Sequence, residues 1–174
     1  HRRFEDKFGV WISEGYGMTE ASPSVVGNRF DAAQRRMGSA GRPYWGVELR
    51  IVDDDGRDLP AGEAGEILIR TPGMARGYWG QPELTAATFR DGWIHSGDIG
   101  HLDADGFLFV VDRKKELIIT GGYNVYPREI EEVLYAIPGV LEAAAIGLPD
   151  ARLGERIVAI VSADRPLQAQ DILA

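Results

Sequence analysis

Alternation of apolar and polar positions is clearest from Val47 onward. Val47, Leu49 and Ile51 fall on one side, Glu48 and Arg50 on the other, which predicts a half-buried β-strand. Asp53-Asp54-Asp55-Gly56 then turns the chain. Glu66 to Thr71 predicts the partner strand, with Ile67 and Ile69 on its inner side. Phe107 to Val111 and Leu117 to Ile119 are short apolar runs that read as buried strands. The first returns from an Asp103-Ala104-Asp105-Gly106 hairpin turn, and the second ends at a Gly-Gly pair. Further strands are predicted at Val10 to Ile12, Val140 to Leu148 and Arg156 to Ala163, the last two joined by a Pro149-Asp150 turn.

Helical spacing is confined to three places. Phe4 and Phe8 are four apart near the start. Pro82 to Phe89 has Pro in its first turn and Asp91-Gly92 as its stop. From Tyr126-Pro127 a third helix carries Ile130, Val133, Leu134 and Ile137 as one apolar stripe and stops at Pro138-Gly139. The charged run Asp112 to Glu116 is too polar to bury, so it crosses the surface as a joint between two bodies. Residues 47–111 before it read as an all-β, barrel-like body. Residues 112–163 after it read as strand, helix, strand, strand. The fold class expected is mixed α/β, with one body over 1–111 and a partial small α+β domain over 112–174.

Composition narrows the chemistry. The 174 residues carry a net charge of −8, which disfavours nucleic acid as a partner. No window approaches the ~18 apolar residues of a membrane span. Cysteine is absent, so disulfides, thiolate catalysis and cysteine-ligated zinc are excluded; a reducing, cytoplasmic setting fits. The acidic turn at 53–56 lacks the glycine position and closing Glu of a calcium loop.

Two short stretches hold candidate chemistry. In Glu14-Gly15-Tyr16-Gly17-Met18-Thr19-Glu20 the glycines allow a sharp turn and close ligand approach. Tyr16 offers a ring face to a planar base, Thr19 a hydroxyl for phosphate and Glu20 a hard oxygen for magnesium. An ordinary glycine-rich loop with exposed polar residues has the same spacing. The stretch is neither a dinucleotide fingerprint, lacking its third glycine, nor a Walker loop. In Trp93-Ile94-His95-Ser96-Gly97-Asp98 the Asp98 carboxylate suits two hydroxyls of a ribose diol, and equally suits backbone N–H groups of a turn. His95 reads as a structural residue beside Trp93, with no partner in the local sequence.

Five motifs occur in order: Tyr16-Gly17-Met18-Thr19-Glu20, Gly65 to Arg70, Gly77-Tyr78, Trp93 to Asp98, and Asp112-Arg113-Lys114-Lys115 with Gly121-Gly122-Tyr123-Asn124-Val125-Tyr126-Pro127. Together they resemble the adenylate-forming superfamily, and most of all its AMP-dependent acyl-CoA synthetases. Peptide-synthetase adenylation domains and luciferase-like enzymes are similar, and a non-catalytic nucleotide-binding remnant is a further alternative. The resemblance implies that residues 1–111 are the C-terminal part of a large AMP-binding domain and 112–174 a hinge with part of a small C-terminal domain. It implies a reaction in which a carboxylic acid attacks the α-phosphate of Mg-ATP, and coenzyme A then takes the acyl group from acyl-AMP.

The implied roles are specific. Tyr16, between Gly15 and Gly17, stacks on adenine; Thr19 binds phosphate; Glu20 holds Mg2+. Asp98 and Arg113 grip the ribose, Gly121 and Gly122 admit the pantetheine thiol, and Asp112 is the hinge. The family's Ser/Thr/Gly-rich phosphate loop and its C-terminal catalytic lysine have no match here, and Lys114 and Lys115 belong to the hinge motif. The chain is therefore expected to be a fragment, inactive alone. Its acid is unreadable, and homo-oligomerisation stays open.

Overall fold

The computed structural model describes residues 1–28 and 35–167. It is a mixed α/β structure in two compact units, residues 1–111 and 112–174. Among the described residues no helix is long and apolar enough to cross a membrane.

The first unit begins with helix α1 (Arg2–Phe8), closed by Gly9 at φ 64°. A three-stranded antiparallel sheet follows, built from β1 (Gly15–Gly17), β2 (Ser24–Gly27) and β3 (Arg42–Pro43). The second sheet holds β4 (Glu48–Val52), β5 (Gly65–Arg70), β6 (Phe89–Arg90), β7 (Trp93–Leu102) and β8 (Leu108–Arg113), in the order β4-β5-β7-β6 with β8 also on β7. Helix α2 (Pro82–Thr88) precedes β6, so residues 47–111 are not all-β. The two sheets meet where Leu108 exchanges backbone bonds of 2.8 Å with Ala40 and Gly41.

The inner face is the alternation read from the sequence. Val25, Val26, Ile67, Ile69, Ile94 and Leu108 are fully buried together, each worth about 1.5–3 kcal/mol of transfer energy as an upper bound. The outer face is less polar than alternation implies. Val52, Leu68 and Trp93 form a second cluster there, roofed by the guanidinium groups of Arg50 and Arg70 at 5.4 and 4.5 Å from the Trp93 ring. Those cations supply apolar stems and stacking where water would otherwise wet the sheet.

The second unit is a four-stranded antiparallel sheet, β10-β9-β12-β11, made from β9 (Ile118–Thr120), β10 (Tyr123–Val125), β11 (Val140–Asp150) and β12 (Gly154–Ala163). Helix α3 (Pro127–Tyr135) lies against β11, where Ala145 N–H donates to Glu131 Oε1 at 3.0 Å.

Several local expectations change. Val10 to Ile12 is not a strand; Ile12 N–H donates to Glu5 Oε1 at 2.9 Å instead of to a sheet partner. Asp91-Gly92 is not merely a helix stop. With φ of 52° and 80° and Arg90 opposite Trp93, it is the two-residue hairpin turn between β6 and β7, which needs φ > 0 at both positions. Val133 is 67% exposed, whereas Leu134 is buried and Ile130 half-buried, so the apolar stripe of α3 is narrower than its spacing implied. Pro149 lies within β11 opposite Glu155, tolerated because β11 is an edge strand. The turn is instead 151–153, where Asp150 Oδ1 accepts from the N–H groups of Arg152 and Leu153, both at 2.9 Å.

Candidate functional site

Tyr16 lies on a strand rather than in a loop. Neither Gly15 nor Gly17 has a positive φ, so the glycines are not there to turn the chain. They let β2 approach: a Cβ on Gly17 would sit 1.8 Å from the Pro23 carbonyl oxygen, and one on Gly15 3.0 Å from that of Val26. The pairing slips between Tyr16 and Gly17, a β-bulge that re-aims the strand end. Past it, Thr19–Ala21 makes a single 3-10 turn, anchored by buried Ala21. Thr19 is exposed and Glu20 half-buried.

Asp98 is presented by a second bulge. His95 faces Leu68 and Ile99 faces Glu66, so Ser96, Gly97 and Asp98 stand opposite Ile67 alone. Gly97 takes φ 71°. Ser96 fills the lost ladder positions: its hydroxyl donates to the Ile67 carbonyl at 2.6 Å and accepts from Asp98 N–H at 3.0 Å. Gly97 N–H reaches Glu66 Oε1 at 3.3 Å. The bulge projects the Asp98 carboxylate toward β1, where Tyr16 OH donates to Asp98 Oδ2 at 2.7 Å. Two motifs 82 residues apart are thereby joined.

His95 does have partners. Arg90 Nη2 lies 2.8 Å from its Nδ1. Arginine has no acceptor, so Nδ1 accepts and the ring's proton sits on Nε2. The same Nδ1 is 3.8 Å from Glu66 Oε1, a proximity rather than a hydrogen bond.

Glu20 is held from the other side. Tyr78 OH donates to Glu20 Oε1 at 2.5 Å, and the Glu20 carbonyl accepts Ala75 N–H at 2.8 Å. The bond to Glu20, helped by burial, pushes the Tyr78 phenol above its ordinary value, so it stays a donor. Among the described residues no group of three or more His, Asp or Glu side chains gathers to hold a metal. A single carboxylate fits magnesium that arrives on nucleotide phosphates and keeps its waters.

The second unit carries the remaining candidates. Asp112 and Arg113 close β8, and the Asp112 carboxylate accepts Arg113 N–H at 2.7 Å and Arg128 N–H at 3.4 Å. Gly121 and Gly122, at φ 58° and 84°, form the two-residue turn between β9 and β10. That turn requires glycine whatever else approaches it. Sequence reasoning gave no role to Tyr78, Ser96 or Glu66. Ser96, two positions before Asp98 with glycine between, carried a local signal; Tyr78 and Glu66 lie in the quoted motifs, but the groups they meet, Glu20 and Gly97, are 58 and 31 residues away, so their roles carried no local signal.

Comparison with known proteins places this geometry. The model of the AMP-binding enzyme family matches residues 1–79, and that of the AMP-binding enzyme C-terminal domain matches residues 129–174. The chain belongs to the AMP-binding, adenylate-forming enzyme family. It is 47% identical over 162 residues to the sulfoacetate–CoA ligase of Cupriavidus necator, covering 92% of this chain and 32% of that relative. It therefore spans about a third of the relative's length. Among solved structures, ATP-bound MatB from Rhodopseudomonas palustris superposes with a TM-score of 0.92 at 40% identity, covering 99% of this chain and 35% of that one. The o-succinylbenzoate coenzyme A synthetase of Bacillus subtilis, in complex with ATP and magnesium ion, gives 0.85 at 35% identity, with 98% and 35% covered.

Proposed function

We propose that this chain is part of an ATP-dependent acid–CoA ligase, which activates a carboxylic acid as acyl-AMP and passes the acyl group to coenzyme A. The observation that carries the reading is the 2.7 Å bond between Tyr16 and Asp98. It sets an aromatic ring and a diol-binding carboxylate side by side, as an adenosine would require, with Thr19 and Glu20 on the next turn. On this reading Tyr16 stacks on the base and Asp98 accepts from the ribose hydroxyls, joined by Arg113. Thr19 hydrogen-bonds a phosphate. Glu20 holds magnesium, which when bound offsets charge at the reacting phosphate.

Gly121 and Gly122, with no side chains to obstruct a thiol, border its path, and Asp112 is the hinge at which a few dihedrals change between the two half-reactions. Residues 1–111 are then the curled, barrel-like end of the large domain and 112–174 part of the small one. By themselves these 174 residues turn over little or no acid. The test is pyrophosphate release and CoA consumption by the full-length protein against a panel of carboxylic acids, sulfoacetate and aromatic acids included. ATP binding without turnover of any acid would favour a non-catalytic nucleotide binder and refute the ligase.

A further inference from the structure

No residue from Thr71 to Thr88 has been given a role toward the nucleotide, yet this segment grips the turn that carries Glu20. Ser22 Oγ donates to the Gly73 carbonyl at 2.6 Å, Ala75 N–H donates to the Glu20 carbonyl at 2.8 Å, and Tyr78 OH donates to Glu20 Oε1 at 2.5 Å. These contacts span more than fifty residues of sequence, so they are tertiary devices and not local turn chemistry.

Tyr78 is itself fixed from behind. Its N–H donates to Thr85 Oγ1 at 2.9 Å, and that hydroxyl donates onward to the Gln81 carbonyl at 2.8 Å at the start of α2. The preceding Gly77 has φ 146°, and a Cβ there would fall 2.4 Å from Thr85 Cγ2. The Tyr78 ring rests against Phe89 with centroids 5.8 Å apart. A phenol held at its backbone, ring and hydroxyl cannot follow a mobile carboxylate; the carboxylate must conform to it.

We propose that Tyr78 is a positioning residue for Glu20, occupying one carboxylate oxygen and aiming the other at a divalent cation carried on nucleotide phosphates. The proposal rests on the reading of Glu20 as the magnesium carboxylate. Without the hydroxyl, a side chain with three rotatable bonds searches its rotamers and must be ordered again at each binding event. Cation-linked affinity then falls while metal-free nucleotide binding does not.

The experiment is calorimetric titration of ATP into the full-length protein, with Mg2+ and with EDTA, for wild type, Tyr78→Phe and Glu20→Gln. The readout is the gain in ATP affinity that Mg2+ confers. Tyr78→Phe is expected to cut that gain about five- to tenfold, in line with the cost of ordering one rotamer-rich side chain on binding, while leaving affinity in EDTA within about twofold. Glu20→Gln should abolish most of the gain. An unchanged gain in Tyr78→Phe, with the loss present in Glu20→Gln, overturns the role of Tyr78 and leaves the metal reading standing. An unchanged gain in Glu20→Gln overturns the metal reading and the proposal with it. An equal loss in Mg2+ and in EDTA makes Tyr78 a packing residue and also overturns the proposal.

Discussion

Substituting Tyr16→Phe removes one oxygen and tests the joint between the two motifs. The ring and the strand remain; the 2.7 Å bond to Asp98 Oδ2 is lost. A hydrogen bond to a charged group contributes about 1.5–3 kcal/mol when shielded. Both side chains are only half-buried, so water recovers part of this and the expected coupling is about 1 kcal/mol. The assay is a double-mutant cycle of Tyr16→Phe and Asp98→Ala by urea unfolding with tryptophan fluorescence. Trp93, 9% exposed, lies on the strand that carries Asp98, whereas Trp45 and Trp79 are wholly exposed. The signal therefore reports chiefly on the first unit, which matters because two units need not unfold in one step. The double variant should lose about 1 kcal/mol less than the sum of the singles. Additivity within about 0.3 kcal/mol would refute the reasoning.

Gly17→Ala should cost about 3 kcal/mol or more, since the new Cβ collides with a backbone carbonyl that cannot move without parting β1 from β2; a denaturant midpoint close to wild type would count against this. Ser96→Ala leaves Asp98 N–H without its acceptor and should cost about 1–2 kcal/mol, and it should weaken AMP binding in the full-length protein by more than a surface Ser→Ala change does. Burial disfavours ionised Asp103, but the N–H groups of Phe107 and Asp105 and the Arg36 guanidinium outweigh it and hold its carboxyl below the ordinary 3.8. A depressed carboxyl stabilises the fold above its unfolded-state value, and that contribution is lost as pH falls through the lower folded-state value. Stability should therefore decline as pH drops below about 4. Asp103→Asn should flatten that decline in acid-titration calorimetry, and an unaltered slope would discount the Arg36–Asp103 contact.

Much of this molecule is determined by local sequence. Alternation at Leu49, Ile51, Ile67 and Ile69 placed β4 and β5 because a strand with one buried face has a period of two. The turns at Gly56 and Gly106 were legible because their glycines meet a backbone requirement that few other residues can. The family motifs were legible because each is a short run of sequence. Tertiary structure decided the rest. Val10 to Ile12 has strand composition but no strand beside it, and Val133 has stripe spacing but is 67% exposed. Tyr16 and Asp98 are 82 residues apart, and Glu20 and Tyr78 are 58 apart. Periodicity cannot report such pairs, because it describes what faces a core, and these are polar contacts made only once two separately formed elements have been brought together.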